Sequence, residues 1–292
     1  MLDQPEFRKA IGGKEFFFEN NDGRIVLIFP FYDKIIVGTS DIPIENPDQA
    51  RCTEDEIDYF IKLVNRVFPN IEVDYKNIVF QFSGVRPLEY SKAKTTGQIS
   101  RDHTIQEDNA GITRVYSLVG GKWTSYRAFA EQVTDKVLSF LGRGRIKDTK
   151  SLPVGGGKDY PSNEKAQKGY IAKIATESGI DEIRLNKLFE RYGTRTREIA
   201  QYIRKGKDAP LIANQDWTRR EVEFLVEYEK VVHLSDLLLR RSTLAWLGAV
   251  NRPLLHELAD IIGNCLGWDD RQKNTEEQQT LELLKDRHGV KL

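Results

Sequence analysis

The sequence predicts an α+β protein, with a mostly antiparallel sheet and covering helices followed by an all-helical C-terminal domain. Three observations carry that prediction. Between residues 14 and 119, short β-branched and aromatic runs alternate with turns such as Asn20-Asn21-Asp22-Gly23. Residues 114–119, Gly120-Gly121, and the spacing of Tyr126, Phe129, Ala130, Val133, Val137, Leu138 and Leu141 then spell a short buried strand, a tight turn and an amphipathic helix, which Gly142 stops. Beyond residue 160 only helical periodicity remains. A chain of 292 residues is long enough for roughly two domains, and the change of texture divides it into 1–147 and 148–292.

Each element has a local reason. Residues 15–19, 24–29 and 34–39 read as strands, the last two joined at Tyr32-Asp33, and residues 43–47 form a loop. Thr53 with Glu56 has capping-box spacing, in which hydroxyl and carboxylate each satisfy a free backbone N–H. The box opens a helix whose apolar face is Ile57, Phe60, Ile61, Val64 and Phe68, ended by Pro69-Asn70. Residues 77–85 predict another strand, delivering Arg86 at its end. A second hairpin follows, with arms at 98–106 and 112–119 joined by 107–111. Pro153 to Lys158 reads as an interdomain link, because its glycine run lacks the GxxxxGK[ST] spacing of a phosphate loop. Helices are then expected to open at Ser162, Asp181, Thr194, Thr218, Pro253 and Thr275, with Thr218 and Glu221 forming a second capping box.

Composition excludes several classes. Hydrophobic residues make up 39% and charged residues 30%, which supports a real core, and the formal net charge is zero. A balanced chain has no global field to attract nucleic acid. The two cysteines lie far apart and the four histidines are scattered, so no metal site is expected. The N-terminus lacks the charged and apolar regions of a signal peptide.

At Gly120-Gly121-Lys122 a strand meets a helix start. Free backbone N–H groups and the positive end of the helix dipole converge there, so an anion is favoured. Arg86 and Arg101 also sit near strand ends. Each such cation alone is more often a surface ion-pair partner, but together with Lys122 they would make a pocket for a small anion. The chain contains no GxSxG, no spaced Cys/His pair and no GxGxxG. A dinucleotide-phosphate site is therefore expected outside it.

Four ordered motifs carry a resemblance: residues 24–41 ending in Gly38-Thr39-Ser40-Asp41, Ser83-Gly84-Val85-Arg86-Pro87-Leu88, Ile99-Ser100-Arg101-Asp102-His103, and residues 120–127. They look like the FAD-dependent glycerol-3-phosphate dehydrogenase and oxidase family. Asp236-Leu237-Leu238-Leu239-Arg240-Arg241 and Leu266-Gly267-Trp268 resemble that family's C-terminal helical domain. Family members begin with a Rossmann-type segment bearing GxGxxG, so the chain resembles their carboxyl half, as a truncated product or one piece of a split enzyme. Ser40 and Trp123 depart from the pattern, where a second threonine and an aliphatic residue are common.

The resemblance implies that Arg86 and Lys122 are the catalytic, substrate-contacting residues and that Arg101 helps hold the substrate phosphate. It places Gly120, Gly121, Lys122 and Thr124 against FAD. The implied reaction takes hydride from C2 of glycerol 3-phosphate to FAD and yields dihydroxyacetone phosphate, with a quinone or oxygen as the final acceptor. His103 is a candidate proton acceptor, although a histidine in a hairpin arm is more often structural. Other readings are a flavin oxidase acting on amino acids, which needs fewer cations, and a non-catalytic fragment or partner-binding subunit. The latter exposes apolar area along 114–119 and the following helix. The expected location is cytoplasmic, or peripheral on the inner face of the membrane. Self-association is left open.

Overall fold

A computed structural model describes residues 1–86, 88, 99–100 and 102–292. The elements in chain order begin with α1 (Pro5–Ile11), β1 (Phe16–Glu19), β2 (Ile25–Phe31), β3 (Lys34–Gly38) and α2 (Glu54–Val67). They continue with β4 (His103–Ala110), β5 (Thr113–Gly120), α3 (Tyr126–Phe140), α4 (Glu164–Ser178), α5 (Glu182–Tyr192) and α6 (Thr196–Arg204). Last come α7 (Arg219–Glu229), α8 (Leu234–Asp236), α9 (Arg252–Leu266) and α10 (Asp270–His288). No helix among the described residues is long and apolar enough to cross a membrane. The architecture is α+β with a helical C-terminal part, as expected. Among the described residues the strands form two antiparallel sheets, however, β1-β2-β3 and β4-β5, where a single sheet was expected.

The chain divides into two compact units. One contains Met1–Ser40, Arg51–Ser83 and Gly155–Leu292, and the other Asp41–Ala50 and Gly84–Val154. The first unit thus draws on both sides of the expected boundary at 147.

In the first unit, Ile28 stands opposite both Phe16 and Val37 in the sheet register. Alternation sends Val26 and Ile28 to one face, where they are buried with Ile35, with Phe7 and Ile11 of α1, and with Leu63 and Val64 of α2. The Thr53–Glu56 capping box forms as expected, at 2.8 and 3.3 Å. Helix α1 was not foreseen. Pro5 in its first turn and left-handed Gly12 after its end are standard signals, but seven residues are too few for periodicity to register.

Residues 77–85 do not form the expected strand. Ile78 makes one bridge to Leu2, the Val79 N–H donates to the Met1 carbonyl at 3.0 Å, and the Gln81 N–H donates to the His288 carbonyl at 3.0 Å. The segment is extended, yet its partners come from two different elements, so no continuous ladder develops. Phe80, 1% exposed, stacks on the His288 ring at 4.6 Å and packs against Trp246 at 5.3 Å.

The helical part of this unit packs around Leu185 and Leu188 of α5, Ile199 of α6, Val222 and Leu225 of α7, and Leu254, Leu258 and Ile262 of α9. Helix starts at Asp181 and near Pro253 match expectation; Asn163 and Asp269 cap α4 and α10, where Ser162 and Thr275 were expected. Thr275 lies inside α10, its hydroxyl donating to the Arg271 carbonyl one turn back at 2.8 Å. The expected link is no bare linker either. Gly155–Gly157 forms a 3-10 turn, and the Thr194 hydroxyl donates to the Gly156 and Lys158 carbonyls at 2.9 and 2.7 Å. A Cβ on Gly156 would stand 1.9 Å from the Tyr192 carbonyl oxygen, so only glycine permits this crossing.

The second expected capping box does not form, since Thr218 makes no side-chain cap bond. Glu221 is fully buried and is paired with Arg184 and with Arg191, the latter at 2.9 Å, while the Tyr192 hydroxyl donates to it at 2.8 Å. Thr218 instead accepts from Arg184 at 2.9 Å. Burial, and next the Glu221 carboxylate, push the Tyr192 phenol well above its ordinary pKa.

In the second unit, β4 and β5 pair from His103 opposite Gly120 to Ala110 opposite Thr113, with Gly111-Ile112 as the turn. Residues 107–110, expected in the loop, therefore extend the strand. The expected burial of 114–119 is also absent: Val115 and Leu118 are exposed.

The Glu221 cluster yields the first prediction. Glu221→Ala strips the carboxylate from two guanidinium groups and should lower the free energy of unfolding by about 3 kcal/mol. The exposed Arg197–Glu177 pair provides the contrast, with Glu177→Ala costing less than about 1 kcal/mol. Urea denaturation of the three proteins measures both.

Candidate functional site

The site is built on the end of the β4-β5 hairpin, where β5 runs into Gly120-Gly121. Gly120 has φ +74°, and a Cβ there would lie 2.5 Å from the Asp102 carbonyl oxygen. Gly121 has φ +99° and rests against His103 and the Phe129 ring. Both glycines are thus required by the hairpin and by its packing on α3.

Lys122 follows with an extended backbone, then Trp123–Ser125 forms a 3-10 turn that leads directly into α3. The Ser125 hydroxyl donates to the Lys122 carbonyl at 3.1 Å and accepts from its N–H at 3.2 Å, which holds the turn closed. Helix α3 begins with no side-chain cap and no acidic residue in its first turn. Its first N–H groups and its dipole are therefore available to an anion. Lys122 and Thr124 are exposed, and the Lys122 ammonium has no ion-pair partner among the described residues.

Helix α3 is tied to the hairpin along one face. The His103 ring packs on Phe129 at 4.3 Å and shares a 2.9 Å hydrogen bond with the Gln132 side-chain Oε1; Lys136 pairs with Glu107 at 2.6 Å. His103 is held by this packing and by its place opposite Gly120. Of the apolar face expected on α3, only Phe129 is buried, and Tyr126, Ala130 and Leu141 are exposed.

Farther along, Glu131 gathers Arg127 at 2.7 Å, Arg145 at 3.0 Å, and the N–H and hydroxyl of Thr149, both at 2.9 Å. The Thr149 hydrogen bonds, followed by those from Arg127 and Arg145, bring the Glu131 carboxyl down to about 2. Nothing in the sequence pattern singled out Glu131, because two of its partners, Arg145 and Thr149, lie in the stretch after Gly142.

Arg86 is half-exposed and pairs with Asp41 at 3.2 Å. Asp41 ends the Gly-Thr-Ser-Asp motif of the third strand, so two motifs far apart in sequence meet in one ion pair. Arg101 lies outside the described residues. The described geometry therefore joins Gly120, Gly121, Lys122 and Thr124 in one turn, and joins Arg86 to Asp41.

Comparison with known proteins follows from this geometry. Residues 2–136 match a family model described as FAD dependent oxidoreductase, and residues 147–273 match one described as the C-terminal domain of alpha-glycerophosphate oxidase. The chain is 29% identical over 270 residues to a glycerol-3-phosphate dehydrogenase of Synechocystis sp., covering 90% of this chain and 48% of that protein. It is 27% identical over 285 residues to the aerobic glycerol-3-phosphate dehydrogenase of Bacillus subtilis, covering 92% and 50%. The chain thus spans about half the length of the curated relatives it matches. The crystal structure of glycerol-3-phosphate dehydrogenase from Bacillus halodurans, complexed with FAD, shares the fold with a TM-score of 0.77. That match has 21% identity and covers 98% of this chain and 56% of the other.

Two predictions test the local construction. Gly111→Ala meets open space and carries only left-handed strain, roughly 1–2 kcal/mol, whereas Gly120→Ala adds a backbone collision. Thermal denaturation should show Gly120→Ala to be the more destabilising by at least about 1 kcal/mol. Glu131 has a folded pKa below its unfolded value, so its grip on Thr149 is fully present above about pH 4.5. That grip is lost as the pH falls through about 2, and the Thr149 amide shift in an NMR titration reports it.

Proposed function

We propose that the chain is a member of the FAD-dependent glycerol-3-phosphate dehydrogenase family and forms the substrate-binding and helical part of an enzyme that oxidises sn-glycerol 3-phosphate to dihydroxyacetone phosphate. The observation that carries this reading is the uncapped helix start behind Gly120-Gly121, with an exposed lysine and no acidic side chain in the first turn. Such a terminus fits the electron-rich pyrimidine edge of a flavin, and Gly120, Gly121, Lys122 and Thr124 are the residues that would hold it. FAD, when bound, supplies the hydride acceptor; a quinone or oxygen then takes the electrons.

The remaining roles belong to this chain's cations. Lys122 places a point charge, and Arg86 a planar fork, for an oxyanion substrate, while Arg101 adds a second fork to its phosphate. Asp41 orients the Arg86 guanidinium through one nitrogen and leaves its other donors for the substrate. Two arginines and a lysine suit a phosphate dianion, whereas an amino-acid carboxylate needs roughly one fork. Developing negative charge is met by donors already in position, which is commonly the largest catalytic contribution.

A nucleotide-binding segment, on the same or a separate chain, completes the enzyme in this reading. The span of about half of the relatives supports it, as does the apolar surface of the second unit, where Ile112, Leu118, Trp123 and Tyr126 are exposed. The proposed location is the cytoplasm or the inner face of its membrane.

The test is anaerobic titration with FAD and then glycerol 3-phosphate, following flavin absorbance, with and without a separately expressed nucleotide-binding segment from a relative. Flavin binding and bleaching are expected only when the segment is present. Bound flavin that never bleaches overturns the dehydrogenase reading, and bleaching by the chain alone overturns the need for the segment. In the assembled enzyme, Lys122→Gln and Arg86→Gln should each lower kcat/KM about 10–100-fold, the loss of one charged hydrogen bond.

A further inference from the structure

We propose that the first unit carries a second ligand site, for a phosphate monoester with a flat or apolar body, built entirely from its own residues. An open cavity of about 490 Å³ lies among the Gly155–Gly157 turn, the C-terminal end of α5, the end of α7 and a one-turn π-helix, Leu237–Arg241, that continues α8. That volume is within the range of small-molecule sites, and π-turns are frequent at functional positions.

The lining is cationic over an aromatic wall. Arg191, Arg195, Arg240 and Arg241 contribute guanidinium groups, against only Glu190 and Glu229 as carboxylates. Tyr160 and Phe189 stack at 5.2 Å with 28° between their planes, giving a flat apolar surface on the same cavity.

The donor inventory points to an oxyanion. A guanidinium offers five N–H groups. Arg240 donates to Asp236 through Nη1 alone, at 3.0 Å. Arg241 donates to the Glu229 carbonyl through Nη2 at 3.3 Å, and its Nε lies 3.6 Å from the Glu229 carboxylate. Arg191 meets Glu221 and the Asp216 carbonyl through Nη1 only. Asp236 and Glu221 thus orient their arginines and leave the other N–H groups of the forks without an acceptor among the described residues. Glu229 is itself shared by Arg195 and Arg241. A phosphate monoester supplies several acceptors at once, with its organic part against Tyr160 and Phe189.

The glycine turn has a defined place in this wall. Gly156 crosses the Tyr192-Gly193 backbone too closely for any side chain, which brings the turn within reach of the cavity. The run without phosphate-loop spacing therefore lines an anion site by packing.

The experiment is calorimetric titration of the full chain with phenyl phosphate and with inorganic phosphate at low ionic strength. It is carried out in the Arg86→Gln/Arg101→Gln/Lys122→Gln background, so that the proposed substrate cations of the second unit contribute nothing. Saturable binding is expected, tighter for phenyl phosphate, and at least tenfold weaker after Arg240→Ala or Arg241→Ala. Arg240 is exposed and its removal leaves the core intact, so an unchanged circular dichroism spectrum certifies that variant. Absence of saturable binding, or binding indifferent to both substitutions, overturns the proposal. The dehydrogenase reading stands or falls separately, by flavin bleaching.

Discussion

The first unit depends on the extended segment at residues 78–82. It joins a sheet layer near the beginning of the chain to a helical bundle formed by the end of it. Its backbone groups must be paired once buried, and they find partners on both sides, in Met1 and Leu2 and in His288 at the end of α10. Phe80 supplies the apolar part of the joint, held between Trp246 and His288. Phe31 of β2 reaches the same Trp246 at 6.2 Å. The sheet and the bundle therefore share one aromatic seam, and this is why the compact unit is discontinuous in sequence.

Arginine does different work in the two units, and burial decides which. Glu221 is fully buried and its charge must be matched, so Arg184 and Arg191 converge on this one carboxylate together with the Tyr192 phenol. Arg86 has one ion-pair partner among the described residues, Asp41, in a half-exposed setting. There the pair orients the fork without consuming it. The same distinction holds within the helical part, where Arg240 and Arg241 sit at the edge of a cavity and keep donors that a buried arginine would have to satisfy.

The glycine pair at 120 and 121 combines a structural demand with a functional opportunity. Antiparallel pairing brings the Asp102 carbonyl so close to Gly120 that no Cβ is tolerated, and Phe129 limits the room at Gly121. The same tight turn lets a 3-10 step and then α3 begin at once, with their N–H groups unmasked. A helix start open to an anion thus arises from the way a hairpin is fastened to a helix. The ion pair between Lys136 and Glu107 and the packing of His103 on Phe129 keep that geometry in place.

Local chemistry made much of this readable from the chain alone. The turn at Asn20–Gly23, the Thr53–Glu56 box, the helix start at Asp181 and the strand–glycine–helix junction each depend on neighbours within a few residues, so their spacing sufficed. What was misread depends on distant partners. Thr218 and Glu221 have the spacing of a cap, but Arg184 and Arg191 offer the buried carboxylate a stronger match than a backbone N–H does. Residues 77–85 have strand composition, yet a strand is defined by a continuous neighbour, and here the neighbours are two unrelated elements. Glu131 and Asp41 gained their roles only when Thr149 and Arg86 came to them. The sequence by itself determined the elements, the turn chemistry and the cations available for an anion. Only the tertiary structure decided which of those cations are neutralised, because ion pairing acts through space and between residues that spacing along the chain does not relate.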